Sequence, residues 1–441
     1  MAKFGIDKAV AWVLINRLWA IFKGPITIIF IISFLTSQEQ GVWFTFISLG
    51  ALSVFAELGF TMIITQFVSH EYAHVRMKKH FIIGKKRNVD KLFSLIRYAI
   101  KFYLIVVPLA IIILLVVGMY VFDNENSTVM FAWIVFSVTS GFRLLASLLQ
   151  SIYEGLDKVV DIQKNIFLGS VTITLFTWIM LSLGFGVWAL AIGNFIGICV
   201  MGYFLYEKAI HFWFQLMHHR VTHEFRWFNE ILKLQWRYAI SWASGYFIFQ
   251  LYVPYIYKLE GSVPAGQFGL TASMIMAIFV MSSATLDAKI PKFNMMVAKG
   301  EQEELNHSFK KAFVQRYLLF FIASAMAIGL LYLMNCYQFY QDRFLTFPLV
   351  LLFFTLQIPM VTITSMAVYL RSHKAEPYYW LSVFNAILIV LAIVVILPKY
   401  SLFGLLVSIN IINWAIILPL AAIIFFKFKR KYYIIKSNKN G

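Results

Sequence analysis

The stretch that decides the fold is Tyr98–Phe122, which reads YAIKFYLIVVPLAIIILLVVGMYVF. Lys101 is its only charged residue, and its apolar residues are continuous rather than spaced at the intervals of an amphipathic surface helix. A helix that crosses a lipid bilayer needs about 20 consecutive apolar residues. The sequence therefore predicts a membrane span at 98–122.

The composition of the whole chain extends this prediction. Of its 441 residues, 61% are hydrophobic and 13% are charged, and the mean hydropathy is +0.77. Soluble domains carry roughly 45–50% apolar residues, so an ordinary soluble protein is excluded. The predicted fold is an all-α polytopic membrane protein with about twelve transmembrane helices. The predicted spans are 13–36, 41–68, 98–122, 129–152, 165–184, 187–206, 237–258, 267–286, 314–335, 344–370, 377–398 and 403–426.

The charges between the spans predict the topology. The segment Ser69–Arg97 carries eight Lys and Arg residues and the tail 427–441 carries six, whereas the connections after odd-numbered spans hold only Lys258, Arg343 and Lys399. By the positive-inside rule, both termini and the basic connections are cytoplasmic. The net charge of +18 is thus mainly a topology signal. A second interpretation is that the same residues attract anionic lipid headgroups. Nucleic acid is not expected as a partner.

The spacing of the spans predicts two six-helix bundles of the same orientation. The segment His211–Arg237 between them mixes tryptophan with basic and histidine residues, which favours an interfacial amphipathic helix over a metal site at His218, His219 and His223. The predicted domains are a first bundle at 1–210, a cytoplasmic linker helix at 211–236, a second bundle at 237–426 and a basic cytoplasmic tail at 427–441.

Two charged residues lie near the middle of predicted spans. A charge there costs about 2.5–3.5 kcal/mol on the insertion scale, so it is expected to face protein or water. Glu57 is a candidate for coupling to a proton or cation, and Gly59 beside it permits local loosening of the helix. Arg143 is a candidate for binding an anionic substrate. The alternative for both is a structural ion pair with each other or with a neighbouring helix.

Two further charged residues lie nearer to span ends. Lys23 either lines a vestibule or extends to cytoplasmic water, and Pro25 is a candidate hinge in the same helix. Asp287 is either a coupling residue or simply solvated.

Polar and aromatic residues in span seven are candidates for sugar contacts. Tyr246 and Gln250 are four residues apart and are expected on one helical face, with Tyr252 nearby. Interfacial aromatic residues that bind no ligand would also account for these tyrosines.

Enzyme motifs are missing from the sequence. It contains no GxxxxGKS phosphate loop, no HExxH and no GxSxG. We therefore predict a transporter rather than an enzyme, with no cofactor and no metal.

Four short stretches carry a resemblance to a known family. Each stretch carries one short pattern: acidic-Leu-Gly, Glu-Gly, Gly-Gln-Phe-Gly and Pro-Lys-Phe, in chain order. The same patterns occur in this order in polysaccharide flippases of the Wzx type. These stretches are Phe55–Phe60 with Gln66, Tyr153–Lys158, Ala265–Leu270, and Pro291–Phe293 with Ala298–Gly300. The sequence resembles this family of the multidrug/oligosaccharidyl-lipid/polysaccharide exporter superfamily, whose flippases supply substrate for the assembly of O-antigen, capsule or exopolysaccharide.

The resemblance implies a MATE-like fold, with two six-helix bundles around a central cavity that opens alternately to each side. It also implies a flippase that works by alternating access in the bacterial inner membrane. Its substrate would be an oligosaccharide on a polyprenyl diphosphate, with Lys23, Arg143 and Arg17 meeting the diphosphate. Glu57 and Asp287 would couple transport to H⁺ or Na⁺. A polysaccharide polymerase and chain-length proteins are implied partners. A cation-coupled multidrug exporter of the same superfamily is the alternative.

Overall fold

The computed structural model describes residues 8–78, 81–222, 225, 227–337, 341–373 and 375–437. Within them the chain forms helices and one short β-hairpin, and it divides into two compact units, Met1–Tyr246 and Phe247–Gly441. The all-α membrane fold predicted from the apolar runs is confirmed. The chain is a multi-pass membrane protein.

The first unit is built from eight helices, the hairpin and most of a ninth helix. These elements are α1 Lys8–Phe34, α2 Ser37–Gly50, α3 Leu52–Glu57, α4 Phe60–Tyr72, β1 Arg76–Lys78, β2 Phe81–Ile83, α5 Lys86–Val121, α6 Ser127–Gly155, α7 Val159–Ser182, α8 Trp188–His218 and α9 Trp227–Phe249.

The second unit continues from the end of α9. Its elements are α10 Tyr252–Glu260, α11 Ser262–Asp287, α12 Ile290–Lys299, α13 Gln302–Cys336, α14 Phe347–Ser372, α15 Tyr379–Leu391, α16 Leu397–Ile411 and α17 Leu418–Ser437. Short π-helical stretches join α15 to α16 and α16 to α17.

The helices account for the twelve predicted spans. Nine helices in the described residues are long and apolar enough to cross a membrane. The longest, Tyr379–Arg430, is divided by Ser401, whose φ of 53° ends one helix and begins the next. The second and seventh predicted spans are not among the nine, and each contains a helix break, between α3 and α4 and between α9 and α10.

The predicted linker helix at 211–236 does not form one helix, because most of its residues belong to the ends of two other helices. Helix α8 continues to His218, and α9 begins at Trp227. The segment is therefore the end of one long helix and the start of the next rather than one separate helix. Its apolar residues explain this: Phe212 and Leu216 are buried in the core of the first unit, so packing continues α8 beyond the predicted boundary. The predicted tail also begins within a helix, because α17 runs to Ser437.

Close packing of α5 and α6 fixes the middle of the first unit. The indole of Trp133 is fully buried against Gly118, where an added Cβ would overlap the ring. The indole N–H donates to the carbonyl of Leu114 at 3.0 Å. This contact holds α6, which carries Arg143, at a defined height against α5.

Candidate functional site

Helices α1 and α7 meet along a polar seam in the first unit. Asn16 donates to the carbonyl and side-chain oxygens of Gln163, both at 2.9 Å, and the Trp178 indole donates to the Thr27 hydroxyl at 3.0 Å. Residues later in α1 contact residues later in α7, so the two helices run parallel. This direction is expected, because the first and fifth spans of a polytopic chain cross the membrane in the same sense. The seam orders the polar face of α1.

Lys23 lies in this seam and is brought near Arg143. Its ammonium donates to the Ser170 hydroxyl on α7 at 2.9 Å. The guanidinium of Arg143, on α6, is within electrostatic range of the same ammonium. Arg143 is exposed and makes no hydrogen bond or ion pair with any described residue. Two positive side chains from separate helices therefore lie within electrostatic range of each other, and neither forms an ion pair with a described acid, which is an arrangement suited to a multivalent anion.

Glu57 sits where the second span breaks. Helix α3 ends at this residue, Leu58 and Gly59 both have positive φ (52° and 72°), and α4 starts at Phe60. Glycine adopts the left-handed conformation without a steric penalty, whereas at Leu58 it costs roughly 1–2 kcal/mol. The break leaves backbone groups unpaired in the middle of the span, and the Glu57 carboxylate accepts one of them, the Thr61 N–H, at 3.2 Å.

The described neighbours of Glu57 are hydroxyl groups rather than a cation. The Thr61 hydroxyl donates to one carboxylate oxygen, and the Ser147 hydroxyl lies 3.4 Å from the other. The buried Tyr103 hydroxyl lies beside the same group. Among the ion pairs of the described residues none joins Glu57 to Arg143, so the structural pair that the sequence left open is not formed. The buried acid has polar neighbours suited to a carboxyl that gains and loses a proton or a cation.

Helix α6 carries Arg143 and also contacts the acid Glu57, through Ser147. Arg143 and Ser147 are one turn apart on one face of α6, and the same face continues through Gln150, which donates to Asn165 at 2.7 Å. One turn before Arg143, Thr139 accepts a hydrogen bond from Asn194 at 3.2 Å. A polar stripe thus runs along a membrane-spanning helix, and Arg143 is the one member of these four without a described partner.

The second unit contains a buried cation that sequence reasoning missed. Arg316 on α13 is 1% exposed, donates to the Ser365 hydroxyl at 2.8 Å, and lies over the Phe279 ring at 5.0 Å. Its Nε and Nη2 have no partner among the described residues. Asp287 is within electrostatic range, but it does not form an ion pair with Arg316 and instead accepts from the Ser283 hydroxyl at 3.1 Å.

The other predicted site residues have less distinctive surroundings. Arg17 is exposed on α1, and α1 continues without interruption through Pro25. Tyr246 is buried on α9, and Tyr252 is buried against Phe268 at the start of α10. The expectation that Tyr246 and Gln250 share one helix was wrong, because α9 ends at Phe249 and Gln250 lies in the break that follows. The sugar-contact and hinge roles stay predictions.

Among the described residues no group of three or more His, Cys, Asp or Glu side chains could hold a metal ion. His218 and His219 lie at the end of α8, while His223 is outside the described residues. The His219 ring nitrogen pairs at 2.6 Å with Asp90, which is fully buried.

Comparison with known proteins identifies the fold. No protein-family model and no curated protein matches the sequence. Solved structures do match over nearly the whole chain. An inward-facing multidrug resistance MATE family transporter of the MOP superfamily aligns over 98% of this chain and 99% of its own, with a TM-score of 0.65 at 15% identity. The lipid II flippase MurJ aligns over 96% and 87%, with a TM-score of 0.66 at 13% identity.

A third match is a MOP superfamily transporter from Pyrococcus furiosus, described as having a binding pocket of reverse polarity. It covers 96% of this chain and 93% of its own, with a TM-score of 0.51 at 15% identity. The chain therefore has the fold that is seen in these MATE and MOP superfamily transporters and in MurJ. At these identities the likeness establishes the fold, and the substrate has to be argued from the residues of this chain.

Proposed function

We propose that the protein is a flippase that moves an oligosaccharide linked to polyprenyl diphosphate across the bacterial inner membrane by alternating access. The observation that carries the proposal is that Lys23 and Arg143, from α1 and α6, lie within electrostatic range of each other and that neither forms an ion pair with a described acid. A diphosphate provides several negative oxygens for these two cations, and Ser170, already bonded to Lys23, adds a hydroxyl beside them.

The chemistry of such a substrate matches the surroundings of the site. The diphosphate needs cations, the sugars need hydrogen-bonding groups, and the polyprenyl chain can remain in lipid throughout transport. The exposed Arg143 side chain at mid-span would be costly against hydrocarbon, so it faces water or substrate. The polar stripe on α6 continues this surface on both sides of Arg143.

Glu57 is proposed as the coupling residue. Its carboxylate is held at a helix break by Thr61 and lies one turn of α6 from Arg143, through Ser147. Binding of H⁺ or Na⁺ would neutralise the acid and alter its hydrogen bonds to α4 and α6, and hence the stability of the break. Asp287 is the corresponding proposal in the second unit, with Arg316 as a nearby positive charge.

The alternative function is a cation-coupled multidrug exporter. The MATE match and an acid with no described cationic partner favour it. Cationic drugs would be repelled by Lys23 and Arg143, so the two functions predict opposite substrate charge.

Reconstituted vesicles distinguish these functions. The purified protein is inserted into vesicles that contain a fluorescent polyprenyl diphosphate-linked sugar, and a membrane-impermeant reductant reports how much of the label crosses leaflets. We expect rapid crossing with the wild type and crossing near the protein-free rate with Arg143→Gln. Export of a cationic dye with no movement of the lipid-linked sugar would contradict the proposal and support the alternative.

A further inference from the structure

The hairpin between α4 and α5 has an outer face of mixed character. In the antiparallel pair, Arg76 lies opposite Ile83 and Lys78 lies opposite Phe81. Side chains of a strand alternate between faces, and directly opposed residues share a face. These four side chains therefore lie on one face, and all four are exposed, Phe81 by 40% and Ile83 by 53%.

The opposite face of the hairpin is attached to the first unit. Ile82, which is 2% exposed, packs in the core with Val75. The side-chain amide of Gln215 on α8 binds the Ile82 backbone twice, accepting from its N–H at 2.7 Å and donating to its carbonyl at 2.8 Å. The outer face is consequently held in one orientation by a buried anchor.

The charge at this end of the unit is unbalanced. The segment from residue 69 to residue 97 contains eight Lys and Arg residues and only two acids, Glu71 and Asp90. Each acid already has a partner: Glu71 pairs with Lys91 at 2.7 Å, and Asp90 pairs with His219. The positive charge of Arg76 and Lys78 is therefore not offset by either acid.

The position of the hairpin determines what this face meets. Helix α4 ends at Tyr72, four residues before β1, and its apolar run ends at about Val68, so the hairpin lies close to the level where α4 leaves the bilayer. Helix α5 begins at Lys86, three residues after β2, and its basic first turns precede the apolar run that starts at Tyr98. Basic residues beside exposed aromatic and aliphatic side chains are the composition of surfaces that sit among anionic headgroups.

We propose that the face formed by Arg76, Lys78, Phe81 and Ile83 is a docking surface for anionic phospholipid headgroups. The two cations bind the phosphate, while Phe81 and Ile83 enter the interfacial layer. Each basic residue near an anionic membrane surface strengthens binding roughly fivefold. The surface is independent of the proposed transport function.

The test reports local lipid composition at the hairpin of the full-length protein. Cys199 and Cys336 are replaced by serine, an environment-sensitive fluorophore is attached to Ile83→Cys, and the protein is placed in phosphatidylcholine vesicles with added phosphatidylglycerol. Quenching is then compared between vesicles with brominated phosphatidylglycerol and vesicles with brominated phosphatidylcholine at the same content. Met217→Cys, an exposed position at the end of α8, is the label control.

We expect several-fold stronger quenching by the anionic lipid at position 83 and equal quenching by the two lipids at position 217. Replacing Arg76 and Lys78 by glutamine should bring position 83 to equality, whereas replacing Lys85 and Lys86 should retain most of the difference. Both pairs are exposed, so the substitutions leave the buried anchor intact. Equal quenching at position 83 in the wild type, or no quenching by either lipid, would overturn the proposal.

Discussion

Arg143→Gln separates a substrate-binding role for this residue from a structural one. In the ligand-free protein Arg143 makes no described hydrogen bond or ion pair, and it repels Lys23. Its removal should therefore leave the thermal midpoint of the ligand-free protein unchanged or higher. Glutamine keeps a polar side chain but is shorter and has no charge, so the substitution removes the guanidinium without placing an apolar group there.

The effect on binding is expected to be large. A hydrogen bond to a charged group contributes about 1.5–3 kcal/mol. Because each 1.4 kcal/mol is a factor of ten, loss of one such interaction should weaken diphosphate binding about 10- to 150-fold. Lys23→Gln should have a similar effect on binding, since its ammonium is the second cation of the pair.

The assay is titration of the purified full-length protein with geranylgeranyl diphosphate, with the uncharged geranylgeraniol as the ligand control. Arg87→Gln is the matched protein control, because it removes one exposed arginine from the same unit. A lowered thermal midpoint with unchanged diphosphate affinity in Arg143→Gln would refute the assignment and identify Arg143 as structural.

Three further predictions follow from packing and ionisation. Gly118→Ala places a Cβ inside the buried Trp133 indole and should lower the free energy of unfolding by about 1–3 kcal/mol. Gly329→Ala, with no atom within 4 Å of the added Cβ, should leave the stability unchanged or slightly higher. The thermal midpoints of the two variants test this difference. Asp90→Asn should lower the free energy of unfolding by about 1.5–3 kcal/mol, because the buried Asp90 pairs with His219 and accepts from Thr222. The variant should also be cleaved faster than the wild type by limited proteolysis in the connector after α8. Equal cleavage of the two proteins would contradict a structural role for the Asp90–His219 pair. Burial lowers the pKa of His373 below 6.5, so the unfolded chain gains this proton first as pH falls. The part of the stability that His373 controls should therefore be complete above about pH 6.5 and decline below it, and a variant with glutamine there should lose that decline.

The membrane fold was predictable because apolar runs report burial in lipid directly. The run at 98–122 lies, except for its last residue, in the single helix Lys86–Val121, and the other predicted runs also fall on helices. The positions at which the helices end were less predictable. Helix α8 extends beyond its apolar run because Phe212 and Leu216 pack into the core, a tertiary effect that local composition does not record.

The candidate site was predictable in part. Glu57, Lys23 and Arg143 are conspicuous because charge is rare in membrane spans. The approach of Lys23 to Arg143, and the absence of a Glu57–Arg143 ion pair, depend on the packing of separate helices. Neither could be obtained from spacing within one helix.

Arg316 was missed for a geometric reason. The predicted ninth span began at residue 314, which placed Arg316 at an interface. Helix α13 begins at Gln302, so more than three helical turns precede this arginine. Residues 302–313 belong to the same helix, but they are too polar for a hydropathy profile to include them in the span. A prediction of helix ends from residue propensities, rather than from hydropathy, could have placed Arg316 inside the helix.

The most direct test of the proposed flippase function is the leaflet position of the lipid-linked oligosaccharide in cells that lack this protein, measured with a sugar probe that does not cross the inner membrane. A flippase that binds its substrate through Arg143 predicts accumulation on the cytoplasmic side, reversed by the wild type and by Arg87→Gln but not by Arg143→Gln. Normal outward movement in the absence of the protein, or full rescue by Arg143→Gln, would contradict it.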